Sequence, residues 1–130
     1  MILVDTSAWI EFLRGTTDPV VSDLRQRIAR GDALAMTEPV GMELLAGVGT
    51  SEQERRVNAL VDGLPLLPID ARIDYRAAAR LSLASRRNGH PIRSMIDCLI
   101  AAVAIRREVP LLHRDRDYDY LAEISPLVTL

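Results

Sequence analysis

Residues 2–10 read ILVDTSAWI. Three aliphatic side chains in succession fit a strand buried on both faces, because a strand with one wet face alternates polar and apolar residues. From about Ala8 to Arg14 the pattern turns helical, with Trp9, Ile10, Phe12 and Leu13 apolar. The joint between the two is Asp5-Thr6-Ser7, good capping chemistry placed at a strand exit. Whether this strand–acid–helix unit recurs decides the fold.

It recurs along the chain. Asp18-Pro19 predicts a second helix, with the aspartate as cap and Val20, Val21, Leu24 and Ile28 on its apolar face, closed by Gly31. Ala33 to Met36 reads as a short strand, and Thr37 then caps a helix through about Leu45. Ser51-Glu52-Gln53-Glu54 matches a capping box, which starts a helix running to Gly63. Leu64 to Ile69 reads as a strand whose prolines suit only a sheet edge. Asp70 opens a long helix to about Asn88. Pro91 precedes another, which holds RSMIDCLIAAVAI (residues 93–105). A strand at Val109–Leu112, a short helix at Asp117–Glu123 and a last strand at Leu127–Leu130 complete the pattern. Strands alternating with helices predict an α/β fold, a parallel sheet covered on both faces with right-handed crossovers. At 130 residues, with no repeat and no linker, the expectation is one domain spanning 1–130.

Composition narrows the chemistry. Hydrophobic residues make up 48% and charged ones 26%, with net charge −2. One cysteine, Cys98, and two histidines, His90 and His113, leave neither an internal disulfide nor a Cys/His zinc set. All 16 basic residues are arginine. Without lysine there is no P-loop, no Schiff base and no receiver-type phosphoacceptor. A haloacid-dehalogenase-type phosphatase is also disfavoured, because Asp5 is followed by Thr6-Ser7 rather than by Asp-x-Asp. No basic leader or apolar run of membrane length is present, so a cytoplasmic protein with no membrane attachment is expected.

In an open parallel sheet, sites form beyond the carboxyl ends of the strands. Asp5 and Asp115 follow two apolar strands, Asp97 lies in the first turns of its helix, and Glu43 lies on a helix that begins at a strand end. These four could converge, with Asp117 beside them. Each has a plainer role open to it: Asp5 as a cap, Asp97 as a partner of a helix dipole, Asp115 and Asp117 in a turn, Glu43 on a helix surface. Together they make a different case. Two like charges at ~4 Å repel by about 4 kcal/mol at an effective dielectric near 20, so a cluster needs protons or cations. Hard oxygen ligands without His or Cys select Mg²⁺ or Mn²⁺, which can polarise a phosphodiester and activate water.

Four segments carry a family resemblance: ILVDTSAWI, TEPVGMELLAG, SMIDCLIAAVA and LLHRDRDYDYLA. In this order they resemble the PIN-domain ribonucleases, and specifically the VapC-type toxins of toxin–antitoxin pairs. The resemblance implies a sheet of about five parallel strands sandwiched by helices. It also implies a Mg²⁺- or Mn²⁺-dependent endoribonuclease toxin acting on tRNA or a ribosomal RNA loop, a homodimer, and neutralisation by a VapB-type antitoxin. By resemblance Asp5, Glu43, Asp97, Asp115 and Asp117 are catalytic. Asp5, Asp97 and Asp115 are the first metal ligands, with Asp117 a further ligand or a support. Thr6 and Ser7 assist from beside Asp5. A phenylalanine usual after the second acid of the last segment is Tyr118 here, an exchange expected to cost nothing. The alternative is a non-catalytic PIN-like module that binds RNA or protein.

Around this set, Arg93 and Arg114 flank the acids and are candidates for orienting a scissile phosphate. Cys98 reads as a small buried apolar residue, and His113 as a packing residue at a strand end, with an acid or base role the alternative. Arg72, Arg76 and Arg80 share a helix face that is either solvated or contacts phosphate. Trp9, Phe12 and Leu13 form an apolar patch that either packs in the core or receives an antitoxin helix.

Overall fold

A computed structural model describes residues 1–130. At its centre is a parallel sheet in the order β2-β1-β3, formed by β1 (Ile2–Val4), β2 (Leu34–Ala35) and β3 (Leu111–Leu112). Register sets Leu3 opposite Ala35 on one side and opposite Leu111 on the other. Two further segments lie alongside as single parallel bridges, Leu66 against Met36 and Thr129 against Leu111. The expected five-stranded sheet is thus three strands with two rudimentary edges. Proline explains the thin edge at Leu66: Leu67 donates to the Met36 carbonyl and Pro65 accepts from Met36, but Pro65 and Pro68 have no N–H to extend the ladder.

Seven helices cover this sheet. They are α1 (Thr6–Arg14), α2 (Pro19–Arg30), α3 (Glu38–Ala46), α4 (Ser51–Gly63), α5 (Asp74–Arg87), α6 (Met95–Arg107) and α7 (Arg116–Glu123). Their termini follow local chemistry. Asp18 caps α2 by accepting from Val20 N, and Gly31 closes it at φ 74°, where a side chain would be strained. The α4 cap is Thr50, one residue earlier than expected. Its hydroxyl accepts from Gln53 N, while the Gln53 side chain accepts from Gly49 N. Helix α5 begins at Asp74 rather than Asp70, because residues 71–73 form a turn in which Asp70 N donates to Asp74 and Arg72 N to Asp70. Ile28, expected on the apolar face of α2, is 48% exposed.

The middle of α6 is apolar all round, and Cys98 through Ala104 are buried without a break. That pattern marks a helix enclosed by protein. It packs on α5, α3 and α7. One ion pair fastens it: Arg106 Nε donates to Asp74 Oδ1 at 2.8 Å and Nη2 to Oδ2 at 2.9 Å, while Nη2 also reaches the Pro68 carbonyl. No helix is long and apolar enough to cross a membrane.

Candidate active site

Strand pairing places the first two acids. Val4 and Leu112 are register partners on neighbouring parallel strands, so the residues after them leave the sheet along the same edge. Asp5 N donates to the Leu112 carbonyl at 2.9 Å. Asp5 is the N-cap of α1, accepting from Ser7 N, and Asp115 is the N-cap of α7, accepting from Asp117 N. Asp97 sits in the first turn of α6, with its own N–H donating to the Ser94 cap. Three helix N-termini therefore stand at the acids, each with the equivalent of about half a positive charge to offset their repulsion.

The carboxylates of Asp97, Asp115 and Asp117 lie within 4.8 Å of one another. Burial, then the charges of Asp5, Asp115 and Glu43, push the Asp97 pKa up to about 7, against a hydrogen bond from Tyr118. Asp117 is also raised, by burial and by Asp115, while Arg93 opposes the shift. At neutral pH the cluster thus holds its charge reluctantly. Partly buried hard oxygens with no ammonium among them suit a hard divalent cation, which would displace the proton. Asp97, Asp115 and Asp117 are the residues that could hold it.

Asp5, expected as a direct ligand, lies outside that group of three. It is 3% exposed and accepts three hydrogen bonds, from Ser7 N at 2.9 Å, Ser7 Oγ at 2.6 Å and the Tyr118 hydroxyl at 2.7 Å. Glu43 is brought in through Thr6, whose hydroxyl donates to Oε1 at 2.7 Å. Both hydroxyls after Asp5 are therefore engaged by carboxylates. Ser7 Oγ also accepts from Arg114 N, which ties the exit of β3 to that of β1.

The arginines differ. Arg93 is exposed and near enough to Asp117 to lower its pKa. The Arg114 guanidinium is engaged by Asp18 at 3.0 Å, a half-exposed pair. His113 is buried; Nδ1 accepts from Asp115 N at 3.0 Å and Nε2 lies 3.3 Å from Asp119, so the ring steadies the Asp115 turn. Burial and the neighbouring Asp97 push the Cys98 thiol up to about 11, which keeps it neutral.

Sequence reading took Tyr118 only as a harmless exchange for a usual phenylalanine, and gave its hydroxyl no part in the site. It is fully buried, and its hydroxyl touches both Asp5 and Asp97, the latter at 3.3 Å. Burial and the two carboxylates hold its pKa well above the ordinary phenol value, so it remains a donor. The only local signal was an aromatic residue directly after Asp117 that carries a hydroxyl.

Beside the acids runs a cleft of about 280 Å³ lined by residues of α1, α3, α4 and the α3–α4 connection, including Ile10, Leu13, Glu43, Val48, Arg56 and Val57. Trp9 is fully buried and belongs to the core; Phe12 and Leu13 are only partly covered.

The sequence profile of the PIN domain matches residues 2–124. Ribonuclease VapC11 of Mycobacterium tuberculosis is 44% identical over 128 residues, covering 98% of this chain and 96% of that protein. Among solved structures, VapBC2 from Rickettsia felis bound to a promoter DNA fragment aligns with a TM-score of 0.74 at 21% identity, over 100% of this chain and 98% of that one. VapBC-5 of Mycobacterium tuberculosis, a member of the VapBC family of toxin–antitoxin systems, aligns with a TM-score of 0.66 at 24% identity, over 98% and 95%.

Proposed function

The chain belongs to the PIN-domain family and resembles its VapC ribonucleases over nearly its full length, and from that premise we propose that it is a metal-dependent endoribonuclease toxin held in check by a VapB-type antitoxin. The observation that carries this reading is the crowding of Asp97, Asp115 and Asp117 within 4.8 Å, reinforced by Asp5 and Glu43, where Asp97 retains its proton up to about pH 7. A cation of the Mg²⁺ or Mn²⁺ type bound there would polarise a phosphodiester and lower the pKa of an attacking water.

The residues of the chain do the remaining work. Asp97, Asp115 and Asp117 supply the negative cradle. Asp5 braces it from the α1 cap, and Glu43, oriented by Thr6, stands on the side of the cleft. Arg93 is exposed beside Asp117 and free to meet a phosphate oxygen; Arg114 serves the same end once a stronger anion competes with Asp18. The substrate is an RNA loop or single-stranded stretch, such as one in tRNA or ribosomal RNA, because the reacting phosphate must reach a rim that a duplex interior cannot meet.

The cleft along α1, α3 and α4 is the seat we assign to an antitoxin segment, since it offers apolar walls at Ile10, Leu13 and Val57 that lead to Glu43. We also propose a homodimer in the cytoplasm, where RNA and antitoxin would meet it.

The test is cleavage of cellular RNA by antitoxin-free protein with and without Mg²⁺ or Mn²⁺, alongside Asp97→Asn. Metal-dependent cuts lost in the variant support the enzyme. A folded protein that binds RNA or antitoxin yet never cuts would instead be a binding module.

A further inference from the structure

Between Asp5 and Asp97 stands a phenol that is wholly enclosed. Two facts set its hydroxyl apart from packing. The hydroxyl lies 2.7 Å from Asp5 Oδ1 and 3.3 Å from Asp97 Oδ1, so one proton faces two carboxylates carried by different elements. And the same residue follows Asp117 on α7, so its backbone moves with the third carboxylate of the cluster.

We infer that the Tyr118 hydroxyl is a positioning group for the cation cradle: by donating between Asp5 and Asp97 it fixes the Asp97 carboxylate on α6 relative to the α1 and α7 caps. The hydroxyl engages Oδ1 of Asp97, while no protein donor reaches Oδ2. Oδ2 is thereby left for the cation. Tyr118 touches no substrate in this account; it acts through Asp97. Partners that orient metal ligands typically change metal affinity by 10–100-fold when removed.

This rests on the metal-dependent reading above, and the two fail differently. Mn²⁺ and Mg²⁺ are titrated by calorimetry, without RNA, into wild type and Tyr118→Phe. The expected result is binding at least tenfold weaker in the variant, with kcat lowered at fixed metal and KM for RNA unchanged. Equal metal affinity in the two proteins overturns the inference, whatever happens to thermal stability, because a purely structural hydroxyl would move the melting temperature alone. If wild type itself binds neither ion, the ribonuclease reading falls and takes this one with it. Wild-type protein carrying ¹³C at tyrosine Cζ gives a readout that needs no folded variant. The chain has three tyrosines, with Tyr75 and Tyr120 replaceable by phenylalanine for assignment. The Tyr118 resonance should shift with Mg²⁺ and saturate with binding; a resonance unmoved at saturating Mg²⁺ overturns the inference.

Discussion

At Asp97 the demands of folding and of the site oppose each other. Folding buries the start of α6, while the site keeps a carboxylate there facing other carboxylates. The result is a pKa pushed up to about 7. The sign of the stability effect follows. A carboxyl with a raised folded-state pKa contributes its full stability below the ordinary carboxylate value and loses it as pH rises toward 7. Asparagine cannot ionise, so Asp97→Asn should be more stable than wild type in EDTA, by about 1–3 kcal/mol after allowing for solvent screening. The difference should open between pH 4 and 7 and then level off, as urea unfolding would register. Cation binding must expel the same proton, so the metal dissociation constant of wild type should tighten as pH rises to about 7 and flatten beyond it. Calorimetry across pH 5.5–8.5 would test this; a flat profile would place the cation elsewhere. Asp5, Asp97, Asp115 and Asp117 were legible in the sequence because each sits at a strand exit or helix start, which are local signals. The place of the Tyr118 hydroxyl was not, and the residue was read as a harmless exchange: its contacts are with residues 5 and 97, and no local pattern encodes that.

Among elements, the pairing of α5 with α6 shows how tertiary contacts settle what propensity leaves open. A helix beginning at Asp70 was a fair reading, since Asp70 can cap. Asp74 is instead drawn to Arg106, and Asp70 folds into a turn against it. Burial alone would raise the Asp74 pKa. The Arg106 guanidinium and the Asp70 N–H outweigh it, so the value is lowered. This stability is present above the ordinary carboxylate pKa and lost as pH falls through the folded value. Arg106→Ala leaves a fully buried carboxylate without its partner. It should cost about 2–4 kcal/mol at pH 7, less than the 3–5 of a wholly buried pair because the arginine is partly exposed, and the penalty should shrink in acid. Since the pair is not among the groups that perturb Asp97, cleavage by the folded variant should stay near wild type. The prolines at 65 and 68 explain the thin sheet edge, and that much was readable from sequence. A single bridge at Leu66 was not, because it depends on Met36, just past the end of β2.

For the whole molecule, the fold brings the chemistry of distant segments to one rim and sets an apolar cleft beside it. The first fact was legible: parallel strands flanked by helices must put their carboxyl ends together. The cleft was legible only as a patch at Trp9, Phe12 and Leu13, and the structure moves its weight. Trp9 is core, while Leu13 with Ile10 forms the α1 wall. Leu13→Arg should therefore weaken antitoxin binding at least tenfold, as loss of an apolar anchor does. RNA cleavage by the free protein should stay within about twofold of wild type. Titration calorimetry with the cognate antitoxin, and cleavage assays beside it, would separate the two surfaces; joint loss would mean that cleft and rim are one.

The placement of Asp97 has a consequence for populations of cells. Asp5 caps α1 and gathers three donors, so its loss damages the protein that carries it and such copies are open to degradation. The Asp97 carboxylate accepts one long hydrogen bond, from Tyr118, and its burial costs stability rather than adding it. On the reading proposed above, a lineage that escapes the toxin through Asp97→Asn would keep a durable, correctly shaped decoy that still occupies antitoxin. In a cell with one intact copy and one decoy, that diversion would leave the intact copy unopposed, and an apparently harmless allele would act as a dominant poison.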